Sequence, residues 1–247
     1  MIGDLFPIII LVVSFCSFIQ SLFGVGLLVF GTPALLLFGL PFSTTLLLLL
    51  PCSIVISFLQ VVEGKRKNQT MPPESRSFLV FSLPFVLVGV IFVLMADLSY
   101  DIKFWVGLLL LFNAFARMTK RIQLVLAKEG QKHLKGYLMI MGLIHGLTNM
   151  GGGLLTILAN ALYTKKETIR FTIASAYLVF ATSQLIPVLF FKWEEFQHHF
   201  IIFPVVACAV HGLIGNRTFN FSTELVYQRL MTLFILLFGI SLVAFGL

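Results

Sequence analysis

Three consecutive glycines, Gly151-Gly152-Gly153, follow Leu147-Thr148-Asn149-Met150 in the middle of a hydrophobic stretch. Each glycine in a helix interior costs about 1 kcal/mol relative to alanine, so a lipid-facing helix gains nothing from three of them. Backbone laid bare at membrane depth persists only where protein covers it or where it lines a watery cavity. A weaker copy lies in the first half, as Gln20-Ser21-Leu22-Phe23-Gly24-Val25-Gly26-Leu27-Leu28. An offset of 127 positions aligns Gly24 with Gly151, Gly26 with Gly153 and Leu27-Leu28 with Leu154-Leu155. It also aligns Ala34-Leu35 with Ala161-Leu162, and Thr45 with Thr172. The two elements read as related broken helices meeting at one central site, an arrangement that carriers use.

Composition sets the solvent. The chain is 59% hydrophobic, only 11% charged and carries 27 Phe, with a mean hydropathy of +1.03. A soluble domain of 247 residues could not hide that much apolar surface. Met1-Ile2-Gly3-Asp4-Leu5 has no basic n-region, so no cleaved signal peptide is expected. The net charge of +7 does not imply nucleic acid, because the basic residues cluster in short loops between apolar runs. Such loops face the cytoplasm and touch anionic lipid headgroups. Cys16, Cys52 and Cys208 are odd in number and form no CxxC, which argues against a disulfide framework or a structural metal. They read as small core residues, with a pathway thiol as the alternative.

Apolar runs fall at about 5–22, 27–38, 42–62, 77–96, 101–118, 136–148, 153–163, 169–191, 197–214 and 224–246. At about 1.5 Å per residue, the runs 27–38, 136–148 and 153–163 reach only about 16–20 Å, against about 30 Å of hydrocarbon. The short runs join at the glycines, which predicts helical hairpins over 5–38 and 136–163 with tips inside the membrane. Run 5–22 is itself almost long enough to cross. The spans are then 42–62, 77–96 and 101–118 in a first repeat (1–118), and 169–191, 197–214 and 224–246 in a second (136–247). A basic cytoplasmic linker, 119–135, divides them.

Charge supports this reading. With returning hairpins, the loops 63–76, 117–135, 163–170 and 216–229 share one compartment and hold 15 of the 17 Lys and Arg residues. Only Lys103 and Lys192 lie opposite. If each hairpin crossed once instead, the split would be 11 against 6. Positive-inside bias favours hairpins, places both termini outside and orients the halves oppositely. The expected fold is an all-α integral membrane protein of two inverted repeats, each a hairpin plus three transmembrane helices, in the inner (plasma) membrane. Locally, Gly39-Leu40-Pro41 before Ser43-Thr44-Thr45 signals a turn and a helix start. Thr164-Lys165-Lys166-Glu167 fits a capping box. Pro51, Pro84, Pro187 and Pro204 interrupt spanning runs.

The return legs would begin near Gly26 and Gly153, bringing two positive helix ends together. Each carries roughly half a charge, enough for an anion site without a cationic side chain. The candidate ligands are Gln20, Ser21, Gly24, Gly26, Thr148, Asn149, Gly151, Gly152 and Gly153 at the tips, with Ser53, Ser57, Ser183 and Gln184 from the spanning helices. The plainer alternative is that the glycines only let helices approach, and that each serine bonds its own helix.

The glycine-rich element followed by a small-residue leg in each half resembles the TauE/SafE-type permeases. The resemblance is strongest over Gly24-Val25-Gly26 through Thr32-Pro33-Ala34-Leu35, and over Gly142-Leu143-Ile144-His145-Gly146 through Gly151-Gly152-Gly153. Asn160 stands where the first half has Pro33, so the two legs need not kink alike. The resemblance implies export of a small sulfur-containing anion, sulfite or an organosulfonate. The helix ends argue for the anion and say nothing of the sulfur.

No Asp or Glu falls in the interior of an expected span; Asp97, Asp101, Glu194 and Glu195 sit at outer ends. His145, on the first leg of the second hairpin, is the one well-placed titratable group for proton coupling, the alternative being a neutral ring bonded to a carbonyl. His211 lies nearer the inner face, and His198 and His199 read as loop residues. Coupling is not required, since an inside-negative potential drives an anion outward with about 2.3 kcal/mol per charge per 100 mV. No cofactor is expected. An intramembrane enzyme, with His145 activating Ser21, Cys16 or Cys52, is a remote alternative, because no Gly-x-Ser-x-Gly, His-Glu-x-x-His or carboxylate pair is present. A channel or a carrier for another oxyanion is the nearer one. Phe-rich surfaces leave a homo-oligomer open.

Overall fold

The computed structural model describes residues 2–70, 75–96 and 119–221, with isolated positions between 108 and 115 and between 223 and 233. The expected spans 101–118 and 224–246 fall almost wholly outside these residues. Within them there is helix and no strand. Helix α1 (Ile2–Phe23) ends at Gly24, whose φ of 74° suits a residue without a Cβ. The chain reverses through Val25 and Gly26 and returns as a π-turn (Leu27–Gly31) and α2 (Thr32–Leu37), with Pro33 in its first turn. Gly39 closes this leg with φ 86°, as the Leu40 N–H donates to Leu35 O and the Gly39 N–H to Leu36 O. Pro41 then starts α3 (Phe42–Arg66), at the turn the sequence signals.

Helix α4 (Ser75–Ala96) follows. The expected linker contains a helix, α5 (Lys120–Lys132), tied to the second hairpin by a bond from Gln131 Nε2 to Ala161 O. That hairpin is α6 (Leu134–Thr148) and α7 (Gly151–Leu162). The reversal falls on Asn149, whose φ is 62° and whose N–H donates to His145 O at 2.8 Å. Helix α8 (Lys166–Lys192) leads through short 3-10 turns, Trp193–Glu195 and His198–Ile201, to α9 (Ile202–Val210). A π-turn (His211–Gly215) and α10 (Asn216–Phe221) complete a rod, His198–Phe221, long enough to cross a membrane.

Several sequence expectations are corrected. The capping box does not form: Lys165 precedes α8 and no side chain caps it. The loop expected from 216 is helical to Phe221. Helix α3 continues past 62 to Arg66, so Glu63 belongs to a spanning helix, and α8 starts early enough to bury Lys166 and Arg170. Helix α1, at about 33 Å, is long enough to cross by itself. Its return leg begins beside Cys16 and Gln20, short of its end.

Helices α3 and α8 run antiparallel. At one end the Ser43 and Thr44 hydroxyls donate to the Glu195 carboxylate at 2.7–2.9 Å. At the other, the basic end, Arg170 meets Glu63 and Thr168 donates to Gln69. The hairpins enter from opposite ends. Phe6 of α1 packs on Phe203 near Glu195's end, while α7 stops just before Lys166 at the basic end.

Helix α6 lies backbone to backbone on α4. A Cβ on Gly142 would strike Ser82 O, one on Gly146 would strike Val86 O, and one on Gly89 would strike the Leu147 N. Small residues four apart bring membrane helices this close, where dispersion and Cα–H contacts act. A bulky residue must push the helices apart, at about 1–3 kcal/mol. Gly146→Leu is therefore expected to lower the thermal midpoint in detergent markedly, whereas Gly136→Ala, with open space around it in the same helix, does not lower it.

Candidate functional site

The first tip is built around Gln20. Its Nε2 lies 3.2 Å from Ser53 O, 3.0 Å from Ser53 Oγ and 3.2 Å from Ser57 Oγ. Its Oε1 accepts the Leu27 N–H at 3.1 Å. That N–H opens the return leg, so an amide oxygen already occupies the expected positive helix end. Gln60 Nε2 donates to Gln20 O and Ser21 O at the end of α1. Gly26 is required here because a Cβ would collide with Cys16 O and the Gln20 N.

The second tip is less saturated. Asn149 Nδ2 donates to Thr32 Oγ1 on the opposite hairpin, and Gln184 Nε2 donates to Asn149 Oδ1, both at 3.1 Å. Thr148 Oγ1 donates back to Ile144 O and accepts the Met150 N–H. Gly151, Gly152 and Gly153 form the first turn of α7; the Gly153 N–H donates to Met150 O at 3.3 Å, while the Gly151 and Gly152 N–H groups have no acceptor within the helix. Gly152 lies so close to the Tyr177 hydroxyl, Val25 and Val29 that no side chain fits. His145 is fully buried, its ring centroid 5.5 Å from that of Tyr177 and 5.2 Å from that of Phe180. His145 Nδ1, His145 Nε2, Tyr177 Oη and Gln184 Oε1 have no hydrogen-bond partner among the described residues. The Gln184 amide faces the His145 ring, so a side-chain carbonyl lies beside it.

The tips touch where Val25 and Val29 face Gly152, but their polar groups lie at different levels along α8. Gly24 packs on Arg170 O and Ile173, while the second tip reaches Tyr177 and Gln184. Ile173 and Gln184 are about 16 Å apart along the helix. Gln20, Ser21, Ser57, Gly24 and Gly26 therefore gather at one level, and His145, Thr148, Asn149, Gln184 and the three glycines at another. Val25 and Val29 pack between them. Ser183 bonds its own helix through Val179 O. Thr32, Gln60 and Tyr177 were missed from sequence. Arg170, Tyr177 and Gln184 recur every seven residues, the one signal that sets them on a single face of α8.

An ionic cluster closes the basic end. Arg170 Nη1 donates to Ser21 O at 3.0 Å and Nη2 to Glu63 Oε2 at 3.2 Å, with the guanidinium carbon 3.5 Å from the centre of the Phe219 ring. His211 reaches Ser21 Oγ and Glu63 Oε1. The sequence placed Arg170 in a loop and found no carboxylate within a span; the longer α3 and α8 overturn both. Cys16 and Cys52 are buried and Cys208 is exposed, all three free.

The model of one protein family matches nearly this whole architecture, residues 9–242, under the description Sulfite exporter TauE/SafE. No curated protein and no solved structure matches the chain significantly. Both hairpins and every described span but the first few residues of α1 fall within the matched stretch. With its apolar helices and its match across almost all of its length, the chain is a multi-pass membrane protein and belongs to the TauE/SafE family of sulfite exporters.

Proposed function

We propose that this chain exports a small sulfur-containing anion, sulfite or a short organosulfonate, by alternating access at the hairpin tips. The family supplies the sulfur anion. The observation that carries the site is the cluster of partnerless buried polar atoms on His145, Tyr177 and Gln184, at the start of α7. A buried polar atom without a partner costs about 1–3 kcal/mol, so such a cluster is retained where a ligand meets it. Tyr177 Oη donates to an anion oxygen, neutral His145 donates one N–H, and the first N–H groups of α7 add a positive helix end. Asn149, held by Thr32 and Gln184, fixes the tip.

Each end of the molecule has a polar closure that this reading treats as a gate. Glu195 joins α3 to the 3-10 turn after α8 at one end, and the Arg170 cluster joins four helices at the other. In the proposed cycle one opens while the other holds. The halves are read as inverted repeats, 1–118 and 136–247, with the basic end cytoplasmic and in contact with anionic lipid headgroups.

Proteoliposome flux tests the proposal. Sulfite and short organosulfonates are expected to saturate the flux and compete, whereas sulfate, phosphate and chloride do not; failure to compete removes the sulfur substrate. Asn149→Ala and Asn149→Gly both delete the bonds to Thr32 and Gln184, and the glycine keeps the left-handed turn. Both are expected to cut flux about tenfold with insertion unchanged, and unaltered substrate affinity would remove Asn149 from the site. Tyr177→Phe is expected to raise the KM about three- to tenfold, by the loss of one hydrogen bond, without lowering the thermal midpoint.

A further inference from the structure

Among the described residues, no full positive charge lines the site proposed at the second tip. No Lys or Arg stands at the centre of any apolar run in the sequence, and the buried cations are Lys166 and Arg170. Tyr177 lies about 10 Å along α8 from Arg170, which is already bonded to Glu63 and to Ser21 O. Toward the other end, Lys192 lies about 12 Å past Gln184 along the helix and 3.9 Å from Glu195. Only one helix end is open as well. Gln20 Oε1 takes the Leu27 N–H of the first return leg, so of the two legs only α7 presents free N–H groups, those of Gly151 and Gly152. The fully buried Tyr177 and His145 flank that turn, the Tyr177 hydroxyl against Gly152 and the His145 Cβ beside Gly151. The donors are the Tyr177 hydroxyl, one N–H of neutral His145 and those two backbone groups, on a helix end worth about half a charge. Gln184 Oε1 and the second imidazole nitrogen offer lone pairs.

Charge enters the two sides of the balance differently. The cost of taking an ion out of water grows with the square of its charge, whereas its attraction to fixed dipoles grows only in proportion. A dianion therefore costs about four times as much to desolvate as a monoanion of its size and gains about twice as much in return. A few neutral donors and one helix end offset a single charge and leave a second unmet. The lone pairs on Gln184 and His145 repel a fully ionised oxygen and accept the proton of a protonated one. We infer that the second-tip site admits singly charged sulfur anions, hydrogen sulfite or a monosulfonate, and turns their dianions away, an inference that rests on the site proposed above. Among the described residues, His145 from α6 and Tyr177 from α8 are the titratable groups there, and no Asp or Glu is buried beside them. The first return leg presents Val25, Val29 and Thr32. Sulfite gains and loses its last proton near neutral pH. Export of hydrogen sulfite therefore moves a proton with the anion and needs no titrating side chain.

Flux into proteoliposomes of the full chain, with equal pH on both sides and the membrane potential clamped at zero, tests this. Sulfite and methanesulfonate are compared from about pH 5 to about pH 8, which spans the range in which an imidazole titrates. The KM for total sulfite is expected to rise about tenfold for each pH unit above its last ionisation, as the singly charged fraction falls. That for methanesulfonate, charged once throughout, is expected to stay flat, which separates the titration of the ligand from that of His145. Methyl sulfate, larger than sulfate but charged once, is expected to compete where sulfate does not. A sulfite KM that stays level, a methanesulfonate KM that rises with it, or equal competition by methyl sulfate and sulfate overturns the inference. Saturable methanesulfonate flux beside any of these leaves the sulfonate reading standing. A Tyr177→Phe variant with unchanged KM for methanesulfonate takes the ligand out of this site, and both fall.

Discussion

A reversed helix inside a membrane has unpaired N–H and C=O groups, and lipid offers them nothing. Everything in this fold follows from how those groups are met. At the first tip a side-chain amide meets them: Gln20 accepts the Leu27 N–H and is itself gripped by Ser53 and Ser57. At the second, the Asn149 backbone folds onto His145 O while its side chain bridges Thr32 and Gln184. Around the first tip Gln20 is bonded at both ends of its amide, and Ser17 Oγ and Gln60 Oε1 have no partner among the described residues; around the second, four polar atoms of His145, Tyr177 and Gln184 have none. In the proposed reading that difference makes the second tip the ligand site.

The same low dielectric governs charge. A buried guanidinium is tolerable only when it is fully paired, and Arg170 has Glu63, the Ser21 carbonyl and the Phe219 face. These partners come from α1, α3 and α10, so satisfying one cation ties the end of the first hairpin to three other elements. At the opposite end Glu195 does the reverse, gathering hydroxyl protons from the start of α3. The interior between them holds uncharged polar side chains set among apolar ones.

The two hairpins are related in sequence but not in detail. The left-handed residue is Gly24 in one and Asn149 in the other, which do not align at the 127-residue offset of the glycines. The return legs differ too. Leu27–Gly31 is a π-turn before Pro33, whereas α7 is regular and Asn160 donates within it to Thr156 O. Glycine serves both functions that the sequence left open, as tip backbone at Gly26 and Gly152 and as a packing surface at Gly142 and Gly146.

Hydropathy and glycine placement alone determined the membrane class, the two hairpins, the Gly39-Leu40-Pro41 turn and most spans, because lipid constrains length and backbone satisfaction locally. They also pointed to Gln20, Asn149 and Gln184 as polar groups too costly to bury without purpose. Tertiary structure decided which of these meet: Asn149 with Gln184, and Gln20 with Ser53 and Ser57, across separations of 33 to 37 residues. It also decided the ionic cluster. Glu63 and Arg170 stand at ends of apolar runs, where a sequence reads them as solvated. Only the extra turns of α3 and α8, stabilised by packing rather than by hydropathy, draw them inside. Run boundaries follow composition, whereas helix ends follow whatever partner the last turn finds.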